Sequence, residues 1–194
     1  MHNPAVRKHD MKVISGGQTG VDIAALRAAQ VFGLKTGGFA PTGWKTQAGP
    51  KPQLGTTFRL EVAHGGYSHR TRLNVEAAHA TLILANNFES SGTKLTLAAA
   101  QASGRPVHQV KIPDPGPQGI SMSLADIEGA VDFIEAEARK AGEESFILNV
   151  AGNSSVTRKG IFMPAFAILS EVFIRLAKRI DDKAVHEVEK GSNG

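Results

Sequence analysis

The sequence predicts an α/β fold, a mainly parallel sheet with helices on both faces. Three observations predict it. Apolar runs of strand length alternate with segments whose apolar residues recur at helical spacing. The runs, such as Thr81-Leu82-Ile83-Leu84, lack polar alternation, as strands buried on both sides do. The first run stops at a glycine-rich turn that leads straight into a helical pattern, the connection at which such sheets bind ligands.

Met1 to Asp10 is polar and reads as a flexible leader, residues 11–189 as a single domain and 190–194 as a tail. Strands are expected at Lys12–Ser15, Lys35–Phe39, Ala80–Ala85, Pro106–Lys111 and Phe146–Val150. Helices are expected at Val21–Phe32, Arg70–His79, Thr93–Ser103, Leu124–Ala141 and Ile161–Ile180. The first helix shows Val21, Ala24, Ala25, Ala28 and Ala29 on one face, with Gly33 as its stop. Ser91 or Thr93 can cap the third and Ser123 the fourth. The last carries Phe166, Leu169, Phe173, Leu176 and Ile180 at helical spacing, which is core or subunit interface. Ala40 to Thr56 and Ile112 to Gly119 are rich in glycine or proline and read as long connections.

The turn Ser15-Gly16-Gly17-Gln18-Thr19-Gly20-Val21-Asp22 would aim backbone N–H groups and a positive helix end at an anion. It is no Walker A loop: Gly16 and Gly20 are one residue too close, and no lysine follows. Nor is it a dinucleotide fingerprint, since the second strand ends in Gly37-Gly38-Phe39 without an acid. Asp22 falls in the first helical turn, and its carboxylate would repel phosphate. It reads as an organiser of the loop or a partner for a hydroxyl.

Composition narrows the class. The net charge of +4, from 22 basic and 18 acidic residues, is too mild to argue for nucleic-acid binding. With no cysteine there is no disulfide, thiolate site or thiol nucleophile. No apolar run reaches the ~20 residues of a membrane span, and a cytoplasmic location is expected. The seven histidines are scattered, and His64 and His69 lack helical metal-ligand spacing, so no metal site is expected.

Residues that follow the strands agree in kind. They are the glycine turn; Gly37 and Gly38, then the loop with Trp44 and Lys45; Asn86 to Thr93; and Ala151-Gly152-Asn153-Ser154-Ser155. Most supply neutral donors or close backbone approach, suited to phosphate, sugar hydroxyls or a heterocycle edge. Ser91-Gly92-Thr93 resembles a second phosphate cradle. His69, Arg70 and Arg72 open a helix, where cations oppose the macrodipole and a docked anion would relieve them. Arg70 and Asn74 share a face. Glu61 and Glu89 are the loop carboxylates available as general acid or base.

At Ile14 to Asp22, Tyr67-x-x-Arg70-Thr71-x-x-Asn74-Val75, Ser91-Gly92-Thr93-x-x-Thr96 and Leu148-Asn149-Val150-Ala151-Gly152, the chain resembles the molybdenum-cofactor carrier proteins. These belong to the Rossmann-like superfamily that includes the lysine-decarboxylase-like phosphoribohydrolases. The resemblance spans Lys12 to about Ile180. It implies a Rossmann-like doubly wound fold, homo-oligomers (dimer or tetramer), and a pocket for molybdenum cofactor (molybdopterin) or a nucleotide-like ligand. Carried over, Gly16, Gly17, Gln18, Thr19 and Gly20 would hold phosphate, Arg70 would supply charge, and Ser91, Gly92 and Thr93 a second set of donors. The phosphoribohydrolases carry Pro-Gly-Gly-x-Gly-Thr-x-x-Glu with a catalytic glutamate. Here Thr96 stands in its place, and a threonine cannot act as a carboxylate base. Carrier relatives follow the last Ala-Gly with Pro-Arg-x-Ser; here Asn153-Ser154-Ser155 follows. They also tend to carry an acidic pair where this chain has Gln47-Ala48.

The expected function is therefore binding of a phosphorylated small molecule at Gly16–Gly20, Gly38, Arg70, Asn74, Ser91, Gly92, Thr93, Gly152 and Asn153, without covalent chemistry. Replacing Arg70 by alanine should weaken binding and leave the fold intact. Two alternatives stand beside it: a nucleotide-processing enzyme with Glu61 or Glu89 as base, and a sensor whose partner reads ligand occupancy.

Overall fold

A computed structural model describes residues 11–114, 122–142 and 145–191, with side chains as far as residue 180. The expected leader, part of the second long connection and residues 192–194 lie outside the described residues.

Six strands form one sheet: β1 (Lys12–Ile14), β2 (Lys35–Pro41), β5 (Leu60–Ala63), β6 (Ala80–Ala85), β7 (Val107–Lys111) and β8 (Ile147–Gly152). Their spatial order is β5-β2-β1-β8-β6-β7, and every pairing is parallel. The helices are α1 (Val21–Val31), α2 (Gln53–Phe58), α3 (Tyr67–Glu76), α4 (Ser91–Ala102), α5 (Leu124–Ala141) and α6 (Phe162–Gly191).

The main core joins the sheet to α1, α5 and α6. Val13, Leu82, Leu84, Leu148 and Val150 from the strands meet Ala24, Ala28, Ile127, Val131, Leu169 and Val172. Each larger side chain buried there contributes about 1.5–3 kcal/mol. Leu26 of α1 packs with Leu54, Phe58 and Leu60, which sets α2 on the same face. The opposite face is covered by α3 and α4, packed together through Val75, Ala99 and Ala100. Connections that step from β1 toward β5 thus cross on the first face, and β5–α3–β6 and β6–α4–β7 step back on the second. A constant crossover hand requires that division. The Rossmann-like doubly wound arrangement expected from the sequence is what the chain adopts.

Some details differ from the expectation. The glycine- and proline-rich stretch after β2 holds a 3-10 turn at Thr42–Trp44 and a small antiparallel hairpin, β3 (Lys45–Thr46) with β4 (Gly49–Pro50). Short α2 and the four-residue β5 follow it. Helix α3 opens at Tyr67, one turn before Arg70, and α6 runs on past Ile180. Ser123 caps α5 as expected, its Oγ accepting from Asp126 N at 3.2 Å. For α4 the cap is Ser90 and not Ser91 or Thr93; Ser90 Oγ accepts the Thr93 N–H. A cap must precede the residue whose N–H it accepts by about three positions, which only Ser90 does here.

Candidate ligand-binding rim

The connections β1–α1, β2–α2, β6–α4 and β8–α6 all leave the carboxyl edge of the sheet. Between β8 and β6 the direction of winding reverses, because α1 and α6 lie on one face and α4 on the other. Such a reversal opens a crevice at the strand ends. Here Asn153 stands in it. Its Oδ1 accepts from Asn86 N at 2.9 Å and Asn87 N at 2.8 Å. Its Nδ2 donates to Asn87 O, Ser90 Oγ and Thr93 Oγ1 at 2.9, 3.0 and 3.3 Å. Its backbone carbonyl accepts from Val21 N, at the start of α1, at 3.2 Å. One residue thereby ties the first turns of α1 and α4 together.

Space around the glycines is taken by the chain itself. A Cβ on Gly16 would stand 1.4 Å from Arg70 Nη1, so the glycine admits a guanidinium. Gly17 and Gly20 have φ of 70° and 94°, a left-handed region that other residues rarely adopt. A Cβ on Gly20 would meet Asn153 O at 2.6 Å; on Gly38, Ser15 O at 2.3 Å; on Gly152, Leu84 O at 1.9 Å. Gly92 differs, with open space where a side chain would stand.

Within the loop, Asp22 Oδ2 accepts from Gln18 N at 3.1 Å and pairs with Arg70 Nη1 at 3.3 Å. The Gly16 N–H also bonds this carboxyl. Burial pushes the Asp22 carboxyl above its ordinary value, against the lowering effect of the Arg70 guanidinium and the backbone donors. Gln18 Oε1 accepts from Thr19 N at 2.9 Å and Gln47 N at 2.8 Å, and Thr19 Oγ1 reaches Gln47 Oε1 at 3.3 Å. The tip of the β3–β4 hairpin is thus fastened to the glycine loop. Asn74 is spent on structure, bonding Phe39 N and O and Arg70 O.

The rim is therefore continuous: Arg70 against Gly16, Gly20 against Asn153, and Asn153 against Thr93. Gly38 and Asn74 lie beside β1 and β2 at the same edge. Ser91 and Gly92 occupy the exposed first turn of α4. The arginine at the head of α3 finds its counter-charge in Asp22, a partner 48 positions away that helical spacing cannot reveal. Asn86 and Asn87 take part in the Asn153 clasp, and Gln47 in the hairpin latch. Only their placement in loops after strands could have pointed to them. Glu89 pairs with Lys94 at 2.7 Å on the surface, and Glu61 is exposed on β5. Thr96 is buried and its hydroxyl donates to Gly92 O at 3.0 Å. Among the described residues no group of three or more His, Asp or Glu is placed to hold a metal, and no helix is long and apolar enough to cross a membrane.

The family model described as "Circularly permutated YpsA SLOG family" matches residues 13–173. The crystal structure of "Putative molybdenum carrier protein" from Syntrophus aciditrophicus SB is similar at 29% identity and a TM-score of 0.67, covering 86% of this chain and 97% of that one. No curated protein matches the chain. The sheet order suits a permuted series: were β8 and α6 placed ahead of β1, then β8, β1, β2 and β5 would be consecutive and adjacent.

Proposed function

This chain belongs to the circularly permutated YpsA SLOG family, and we propose that its rim binds a phosphorylated small molecule as a carrier does, without turning it over. The observation that carries this reading is the Asn153 clasp, which brings the first turns of α1 and α4 to one point. Two positive helix ends favour an anion there. Gly92, unexplained by packing, leaves room for close approach. The molybdenum carrier name of the similar structure supports molybdenum cofactor as cargo, its phosphate on the rim and its pterin against the neighbouring loops. A nucleotide-like ligand offers the same phosphate. Ligand contacts at Gly16–Gly20, Arg70 and Ser91–Thr93 belong to this proposal, as does assembly into a homo-oligomer; Gly38, Asn74, Gly152 and Asn153 shape the rim through their own contacts within the chain.

Native mass spectrometry of freshly purified protein tests it, with a co-purifying phosphate- or molybdenum-bearing compound as the expected result. Gly92→Asp sets a carboxylate at the anion seat while facing open space. It should abolish that retention and leave the melting temperature unchanged or raised, since an acidic residue suits the first turn of a helix. Equal retention by the variant would place the ligand elsewhere.

A further inference from the structure

The donors around the glycine loop are already partly answered, and by an anion that belongs to the chain. Asp22 Oδ2 accepts from Gln18 N and Arg70 Nη1, and its carboxyl also bonds the Gly16 N–H. The carboxylate side chain is 6% exposed and the arginine 12%. A carboxylate held by two backbone N–H groups of one glycine loop and by a guanidinium stands where such a loop would take an oxyanion. Its hold on Arg70 is incomplete. The single Nη1 contact is 3.3 Å, longer than the ~2.7–2.9 Å of a strong charge-assisted bond. Arg70 Nε is buried and has no acceptor.

We infer that Asp22 is a specificity-determining residue of the rim: it fills the oxyanion seat of the glycine loop from inside, so that a bare oxyanion is rejected and only a phosphoester with an organic body to bind is retained. The inference rests on the proposed function above. Its physics is simple. A fixed negative charge within a few ångströms of the phosphate weakens phosphate binding, whereas contacts to the organic body are untouched. A bare oxyanion has nothing else to hold. The charge of Arg70, held by one long contact, still favours a phosphate that the body has brought into place. This arrangement keeps free phosphate from competing with a scarcer ligand.

The test is calorimetry with two probes, inorganic phosphate and adenosine 5′-monophosphate, on the native chain and on Asp22→Asn. Asparagine keeps an acceptor for Gln18 N and removes the charge. The native chain should bind inorganic phosphate at least about a hundredfold more weakly than the ester. Asp22→Asn should gain at least about tenfold for inorganic phosphate, and adding Arg70→Gln should remove the gain. If the native chain binds the ester and Asp22→Asn shows no gain, the inference fails and the site reading stands. If neither chain binds either probe, the inference fails together with the nucleotide-like form of the site reading, while the molybdenum-cofactor form is judged by the native mass spectrum. Should Asp22→Asn not fold, the native chain decides alone, and equal affinity for the two probes overturns the inference.

Discussion

Asn153 Oδ1 accepts hydrogen bonds from two consecutive backbone groups, Asn86 N at 2.9 Å and Asn87 N at 2.8 Å. The chain beyond β6 is therefore shaped by the side chain that directly follows β8, and the first turn of α4 inherits its position from that clasp.

Removing the clasp should be costly. Asn153→Ala removes the acceptor of the Asn86 and Asn87 N–H groups, which are only part-buried, so each should cost about 1 kcal/mol, the low end for an unpaired group, and urea unfolding should show a loss of about 2 kcal/mol. Asn153→Asp keeps the acceptor but turns the donor toward Asn87 O into a second acceptor. Its loss should be smaller than alanine's, because the Ser90 and Thr93 hydroxyls can reorient while a carbonyl cannot.

Arg70→Ala should not be neutral for the fold, contrary to the expectation from sequence alone. It strands a buried carboxylate, and breaking a buried pair from one side costs about 3–5 kcal/mol. Asp22→Ala with Arg70→Ala should recover part of that loss. A double-mutant cycle by chemical denaturation measures the coupling, and simple additivity would remove the ion pair from the account.

Two glycines of similar appearance in the sequence should respond in opposite ways. Gly16→Ala sets a methyl 1.4 Å from Arg70 Nη1 and must expel the guanidinium from its place. It should destabilise about as much as Arg70→Ala. Gly92→Ala meets open space in the first turn of α4 and should be neutral or stabilising by up to about 1 kcal/mol. Thermal melts of the two variants check the contrast.

His108 stacks on Phe133, with ring centroids 5.3 Å apart. Burial lowers its pKa from the ordinary 6.5, with Asp126 opposing. A depressed folded-state value means that the unfolded chain takes up the proton first. Stability from the neutral ring is complete above pH 6.5 and is lost as pH falls through the lower folded value. His108→Phe retains a stacked ring and should flatten the stability profile on that acid side, measured as denaturation midpoint against pH.

Much of the fold could be read from the chain because the physics involved is local. The Ala80–Ala85 run is apolar throughout and is buried throughout. Helix α5 was visible in its periodicity, its Ser123 cap and its length, and its bounds agree with the expectation. Short β5 and the β3–β4 hairpin were not visible. Four residues with exposed Glu61 among them, or two residues beside a proline, carry too little pattern to separate from a loop.

The rim divides the same way. Sequence alone determined that glycines, amides and hydroxyls gather near the strand ends, although Gly37 and Gly38 lie within β2 and Gly152 closes β8 where they were expected to follow those strands. Tertiary structure alone decided what each one meets. Arg70 lies on Gly16 and pairs with Asp22, and Asn153 closes the crevice between β8 and β6, because helices distant in sequence pack on opposite faces of one sheet. Such contacts depend on the sheet order, and no spacing along a single chain encodes which strands become neighbours.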